Sequence, residues 1–307
     1  MKKLILLFTA AAVFAGFSFS EAKGQLNVVA TTTDLASLAE YIGGDKVSVT
    51  SLSRALQDTH YLNATPGMVA RISRSDVFIQ NGLDLEMGWV PEIITQTRNR
   101  QVRPGGPGHV NAAEGIRAIQ IPERIHRDMG DVHPSGNPHY TLEPVRTQQA
   151  ARNIAAGLIR VDSANRDFYQ QNLERYIKES DTVVSKWKKK LEPYKGASVI
   201  TYHKHFDYML LELGLDIVDA IEPLPGLAPS AGHIAGLLSK YSSDNVKLVI
   251  MEPWHDKRVG RRVAEGLGVD LVIGCPAAGG CDGAKDILSL FETNAEMILK
   301  ALQKAGK

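Results

Sequence analysis

The chain has 307 residues, a formal net charge of +1 at neutral pH and 44% hydrophobic residues. A charge balance so close to zero excludes the strongly basic surface that proteins use to bind nucleic acid or anionic lipid. The length is sufficient for two lobes with separate hydrophobic cores.

The first 22 residues have the composition of a secretory signal peptide. A positively charged start, Met1-Lys-Lys, precedes an apolar run from Leu4 to about Phe19, and small residues up to Ala22 suit cleavage. The apolar run is shorter than the roughly 20 residues that a membrane-spanning helix needs. The signal peptide predicts export to a periplasm. No Cys stands directly after the apolar run, so we expect a soluble protein without a lipid anchor.

Strands and helices alternate through residues 23–162, which we predict to be the first lobe. Asp34 follows the first strand and is predicted to cap the helix after it. Alternation of this kind predicts a parallel sheet with helices on both faces. The predicted strands cover residues 26–30, 47–52 and 77–80, and the predicted helices cover residues 35–42, 66–74, 85–97 and 144–161.

The segment 103–136 is rich in Gly, Pro and charged residues. We predict a surface loop that contains one short strand, 118–121, and three histidines. Loops tolerate solvated polar residues, so we interpret His109 and His126 as such. The third histidine, His133, lies close to the next histidine along the chain, and its role stays open.

A long amphipathic helix is predicted in the linking segment 163–193. Ser163 is predicted to cap this helix and Pro193 to end it. About 28 residues that rise roughly 1.5 Å each give a helix of roughly 40 Å, which can run the length of a two-lobed body. Apolar residues recur at helical spacing and form one face of it: Phe168, Leu173, Tyr176, Ile177, Val183, Val184, Trp187 and Leu191.

The alternation resumes in residues 194–307, the predicted second lobe. The predicted strands cover residues 197–201, 216–220, 246–251 and 269–273, and the predicted helices cover residues 206–213, 232–241, 257–267 and 286–305. The predicted fold class is therefore α/β, with two parallel-sheet lobes joined by one long rigid helix.

Three histidines stand where a predicted strand gives way to a loop or helix: His60, His139 and His203. In open α/β sheets, ligands bind beyond the carboxyl ends of the strands. Imidazole is a preferred ligand of zinc, so three such rings predict a metal site in the cleft between the lobes. His205 competes with His203, because side chains two residues apart point the same way from a strand.

Other polar residues near these positions have two interpretations. Asp58, Glu143 and Asp207 either accept a hydrogen bond from a ligating imidazole or cap helices. His233 and His255 are interpreted as residues of helix starts or of the surface.

The two cysteines, Cys275 and Cys281, are predicted to form a disulfide, because the pair is close in sequence and the compartment is oxidising. The alternative is that Cys275 binds a metal as a thiolate.

At its histidines the chain resembles the zinc/manganese family of ABC-transporter solute-binding proteins, the cluster with a rigid linking helix. Its segments Gln57-Asp-Thr-His60-Tyr, Asn137-Pro-His139-Tyr-Thr-Leu-Glu-Pro144 and Tyr202-His203-Lys-His-Phe-Asp-Tyr208 are similar to the family's D-P-H-x-Y, N-P-H-x-W-L-D-P and Y-H-x-x-F-x-Y motifs. The later segment Ile250-Met-Glu-Pro253 and the run from Ser75 to Glu86 match further landmarks of the family.

The resemblance implies that His60, His139 and His203 are ligands of Zn²⁺. It further implies a monomeric, non-enzymatic protein that delivers zinc to the membrane permease of an ABC importer. Manganese members of the family often have Glu in the third position, so a manganese or iron binder is the alternative. A secreted zinc hydrolase is a second alternative, because three His ligands plus an open water position are typical of catalytic zinc.

Two positions depart from the family pattern. Thr59 stands where Pro is usual, and Cys275 stands where many members have an Asp as the fourth ligand. The fourth ligand is therefore open between water, Cys275 and Asp282.

Overall fold

The computed structural model describes residues 24–124, 133–242 and 246–306. Two four-stranded parallel sheets form two α/β lobes, and a helix of 26 residues runs between them, which confirms the predicted fold class. The expected signal peptide and His126 lie outside the described residues. Within the described ranges, no helix has the length and apolarity needed to cross a membrane.

The first sheet has the strand order β2-β1-β3-β4, and all neighbours are parallel. Its elements are β1 Leu26–Ala30, α1 Thr33–Gly43, β2 Val47–Ser51, α2 Pro66–Arg74, β3 Val77–Gln80, α3 Val90–Gln96, β4 His109–Asn111 and α4 Pro144–Val161. The linking helix, α5, follows at Arg166–Leu191.

The second sheet has the strand order β6-β5-β7-β8 and is also parallel throughout. Its elements are β5 Ser198–Thr201, α6 Asp207–Glu212, β6 Asp216–Ala220, α7 Ala231–Lys240, β7 Val246–Met251, α8 Lys257–Leu267, β8 Asp270–Ile273 and α9 Ile287–Ala305.

Alternate residues of each strand pack into two different cores, one on each face of the sheet. In β1, Val28 faces a core with α1, α4 and α5, whereas Val29 faces a core with α2 and α3. In β7, Ile250 faces α5, α6 and α9, whereas Val249 faces α7 and α8. Because both faces are covered, the inner strands β3 and β7 are mostly apolar, as expected of buried parallel strands, whereas the edge strands β2 and β6 contain more polar residues.

The linking helix α5 contributes to the cores of both lobes. Its buried stripe repeats every three or four residues: Tyr169, Asn172, Tyr176, Ser180, Val184, Trp187 and Leu191. Tyr169 and Tyr176 belong to the core of the first lobe, and Trp187 belongs to that of the second. Because the same helix packs into the cores of both lobes, it limits rotation of one lobe against the other.

Two residues of this stripe are polar and were not predicted to be buried. The side-chain amide of Asn172 donates to the carbonyl of Ile42 at 2.9 Å, and the hydroxyl of Ser180 donates to that of Pro144 at 3.0 Å. These hydrogen bonds offset the cost of burial. They fasten α5 to the end of α1 and the start of α4.

The fourth strand of the first sheet corrects one prediction. β4 lies at His109–Asn111, where Phe78 pairs with His109, and residues 118–121 form no strand. Gln120 has a positive φ of 55°, which interrupts an extended run. His109 is consequently a half-buried strand residue and not a solvated loop residue, and burial lowers its pKa.

Three predicted helix starts also differ from the structure. The hydroxyl of Thr32, and not Asp34, caps α1 by accepting a hydrogen bond from the backbone of Leu35. Ser163 begins a 3-10 turn, and α5 starts three residues later. α3 begins at Val90 and not at residue 85, after a series of turns with positive φ at residues 83 and 84.

Asp34 connects the two lobes instead of capping a helix. Its carboxylate accepts a hydrogen bond from the hydroxyl of Thr141 at 2.7 Å and one from the backbone N–H of Ala278 at 2.7 Å. Burial raises the pKa of Asp34, while these two bonds lower it. Thr141 is two residues from His139, so this buried carboxyl joins the candidate site to a loop of the second lobe.

Candidate metal centre

The three predicted ligands stand on three separate loops. His60 lies in a 3-10 turn, Thr59–Tyr61, in the loop that follows β2. His139 immediately precedes the 3-10 turn that leads to α4. His203 lies two residues beyond the end of β5 in the second lobe. The loops after β2 and β5 leave the carboxyl ends of their sheets, where α/β folds hold their ligands.

The structure brings these three rings together with a fourth, His133. Nε2 of His60 lies 3.1 Å from Nε2 of His133, and Nε2 of His139 lies 3.3 Å from Nε2 of His203. Ligand atoms of His60, His133 and His139 all fall within 4.8 Å of one another. The ring centroids of His60 and His203 are 5.6 Å apart. Three imidazoles of the first lobe therefore form one group, and His203 of the second lobe adjoins it through His139.

Two carboxylates determine which ring nitrogen of their histidine carries the proton. Asp58 Oδ1 lies 2.7 Å from Nδ1 of His60, and Glu222 Oε2 lies 2.6 Å from Nδ1 of His203. A carboxylate accepts, so each Nδ1 carries hydrogen, and in the neutral form of each ring Nε2 has the lone pair that can bind a metal ion. Hydrogen bonds of this kind orient metal-binding histidines and make them better donors to the ion.

Burial keeps the rings of His139 and His133 neutral. It lowers the pKa of His139 well below its ordinary value, and the neighbouring histidines lower it further. Burial also lowers the pKa of His133 to about 4. A metal ion binds the neutral ring, so these two ligands need no deprotonation at neutral pH.

The acids singled out from the sequence have three different roles. Asp58 contacts the His60 ring and also accepts from the backbone N–H of His60 at 3.0 Å, so both of its interpretations hold. Glu143 caps α4 by accepting from the backbone N–H of Arg146 at 2.9 Å. Asp207 accepts from the amide of Gln120 at 2.6 Å instead.

Glu222 was missed by the sequence analysis. It lies two residues beyond the end of β6, the strand next to β5, whose loop carries His203. An acidic residue at the carboxyl end of the neighbouring strand was the signal that could have found it. His133 was left open because its segment has no periodic pattern that fixes its position.

The remaining histidines divide into three cases. His205 lies against His139, with Nδ1 to Nδ1 at 3.1 Å, and is half-buried. His233 lies in the first turn of α7, as expected of a helix start. His255 was interpreted as a helix-start or surface residue, but its ring stacks on Tyr202 with centroids 4.2 Å apart, and its Nε2 lies 3.3 Å from Glu252.

The predicted disulfide is present between Cys275 and Cys281. A disulfide sulfur has no thiolate to offer, so the alternative role of Cys275 as a metal ligand does not fit. Asp282, the other fourth-ligand candidate, is exposed and lies one residue beyond the loop that the disulfide closes. His133, which was not among the predicted candidates for the fourth position, lies against the predicted ligand His60.

A cavity of about 540 Å³ borders the cluster on one side. His133, His139 and His203 contribute to its wall, together with residues of the loops after β6 and before His133. It provides a route by which a hydrated ion can approach the ring nitrogens.

A family model described as zinc-uptake complex component A, periplasmic, matches residues 28–301 of the chain. Among curated relatives, the high-affinity zinc uptake system protein ZnuA of Bacillus subtilis is 28% identical over 254 residues, which cover 81% of this chain and 78% of the relative. The zinc-binding protein AdcA of Streptococcus pyogenes is 23% identical, and the match spans 62% of its length. The manganese ABC transporter substrate-binding lipoprotein PsaA of Streptococcus pneumoniae is 24% identical over 97% of this chain and 96% of its own.

Solved structures share the fold. A crystal structure of ZnuA has a TM-score of 0.75 at 23% identity and covers 91% of this chain and 99% of its own. A Mn-bound periplasmic metal-binding protein from Candidatus Liberibacter asiaticus has a TM-score of 0.73 at 19% identity, with 91% and 100% covered.

We expect His205 to make the stability of the metal-free protein depend on pH. Burial lowers the pKa of His205 from 6.5 to about 3, so between these values the unfolded chain binds a proton that the folded protein does not. The stability that comes from the neutral His205 ring is fully present above pH 6.5 and is lost as the pH falls toward 3. One such group costs about 2 kcal/mol of the free energy of unfolding at about pH 5.

Urea unfolding of chelator-treated protein at about pH 7 and about pH 5 measures this loss. The variant His205→Gln has no titrating ring, so its free energy of unfolding should fall less over the same interval. If the free energy of unfolding of His205→Gln fell as much as that of the wild type, His205 would not be the source of the pH dependence.

Proposed function

The chain belongs to the family of periplasmic zinc-uptake components, and we propose that it binds one Zn²⁺ between its lobes and delivers it to the membrane permease of an ABC importer. The observation that carries this proposal is the meeting of ring nitrogens from both lobes, with His60, His133 and His139 on one side and His203 on the other. The ion is cargo here, held and then released.

The ligand set favours zinc. Four imidazole nitrogens suit the tetrahedral coordination of Zn²⁺, whereas Mn²⁺ prefers carboxylate and water oxygens. The two acids nearest the site, Asp58 and Glu222, hydrogen-bond the far side of the rings. The manganese-binding relative makes Mn²⁺ the second candidate.

A transport role is also supported over a hydrolytic one. A catalytic zinc keeps one position open for water and needs a general base beside it. In the proposed site His133 takes that fourth position, and Asp58 and Glu222 are engaged by ring N–H groups. The family consists of solute-binding transport proteins.

Release of the ion requires only small movements. Because α5 packs into both cores, we propose that docking on the permease shifts loops of the second lobe and so withdraws His203. We further propose that the mature protein begins after residue 22 and acts in the periplasm as a monomer. Its first lobe would comprise residues 23–162, its linking helix residues 163–193 and its second lobe residues 194–307.

We expect purified, metal-free protein to bind one equivalent of zinc. The double variant His60→Ala, His139→Ala should lose affinity by at least about 100-fold, because removal of two ligands costs more than removal of an outer-sphere partner. Isothermal titration with a competing chelator measures this. His109→Ala removes a histidine on β4 outside the cluster and should bind as the wild type does. Undiminished binding by the double variant would refute the site.

His133 and Asp282 provide a direct test of the fourth ligand. We expect His133→Ala to weaken zinc binding by about 10-fold or more, since an imidazole is exchanged for water, and Asp282→Ala to have little effect. Titration of both variants under identical conditions compares them. The reverse order of effects would make Asp282, and not His133, the fourth ligand.

Competition between Zn²⁺ and Mn²⁺ for the metal-free protein tests the choice of ion. We expect zinc to remain bound at an excess of manganese of at least about 100-fold, as an all-nitrogen site predicts. Metal analysis of the dialysed protein gives the ratio. Preferential retention of manganese would instead support the second candidate.

A further inference from the structure

His205 lies between one proposed ligand and a fixed backbone carbonyl. Its Nδ1 is 3.1 Å from Nδ1 of His139, and its Nε2 is 2.9 Å from the carbonyl oxygen of Pro276. His205 is not part of the group of ring nitrogens that meet in the cleft, and it has no role in the proposed function so far.

The positions of the protons follow from these two contacts. A carbonyl only accepts, so Nε2 of His205 carries hydrogen, and the Nδ1 of its neutral ring is an acceptor. The donor opposite it must then be Nδ1 of His139. His139 therefore presents the lone pair of its Nε2, the nitrogen that lies 3.3 Å from Nε2 of His203. Burial, which strongly lowers the pKa of His205, agrees with a neutral ring.

The carbonyl at the far end is held in place by several independent contacts. The side-chain amide of Asn294 bonds both backbone groups of Cys275, accepting at 2.8 Å and donating at 2.9 Å. The disulfide closes the loop from Cys275 to Cys281, and Asp34 accepts from the backbone of Ala278. These contacts restrain the chain on both sides of Pro276.

We propose that His205 is a positioning residue of the metal site, which fixes the tautomer and orientation of His139 by relaying a hydrogen bond to the Pro276 carbonyl. The inference rests on the proposed zinc site and adds an outer-sphere partner that the second lobe supplies to a ligand of the first. His60 and His203 use carboxylates for the same purpose, whereas His139 uses a neutral ring.

The test compares His205→Ala with His205→Gln in the full-length mature protein. Loss of an outer-sphere partner typically costs about 10- to 100-fold in metal affinity, so we expect a decrease of this size for His205→Ala. Gln has both an acceptor oxygen and a donor nitrogen, so His205→Gln should recover part of the affinity. Unfolding curves of both variants confirm that they are folded.

The second readout is the tautomer of His139, observed by NMR of ¹⁵N-histidine-labelled, metal-free protein. We expect the Nδ1–H form in the wild type and a mixture of tautomers in His205→Ala, a change that a purely structural role for His205 would not produce. An Nε2–H tautomer in the wild type, or an unchanged tautomer and zinc affinity in His205→Ala, would overturn the inference. Because this measurement needs no zinc, it separates failure of the relay from failure of the zinc site.

Discussion

The candidate metal site depends on electrostatic repulsion between ring nitrogens of His139 and His203 that face each other. His139 and His203 each direct Nε2 at the other across 3.3 Å, and when both rings are neutral with hydrogen on Nδ1, a lone pair lies on each of these Nε2 atoms. Burial opposes protonation of His139, so the ring cannot relieve the repulsion by becoming charged at neutral pH. A divalent cation between the rings turns the same geometry from unfavourable to favourable, and this explains why the arrangement is suited to capture.

The fold supplies the rigidity that such an arrangement needs. Parallel sheets buried on both faces hold the loops after β2 and β5, and α5 spans both cores. Asp34 adds a buried link from α1 to the loop of the second lobe. Because the lobes have little freedom to move, a small shift of one lobe is sufficient to displace its ligands from those of the other lobe. This suits a protein that must also release its ion.

The sequence predicted the regular elements well because apolar runs in a doubly covered sheet are easily recognised. It predicted less where the position of a residue depends on tertiary contacts. β4 has three residues and is a strand only because it pairs with β3. His133 and Glu222 lie at the cleft on loops that have no periodic pattern. Asp34 was predicted to cap α1, but its carboxylate binds Thr141 and Ala278, which are distant in sequence.

The net charge of the site explains why Cys275 can stand where many family members have an Asp ligand. Two carboxylates, Asp58 and Glu222, already face the rings, and together with a divalent cation they sum to zero when both are ionised. An aspartate ligand from the loop at Cys275 would add a third negative charge and hold the ion more tightly. The chain instead presents a carbonyl through His205, which supports His139 without adding charge. A balanced site keeps the ion bound by geometry, so that a change in geometry is sufficient to release it.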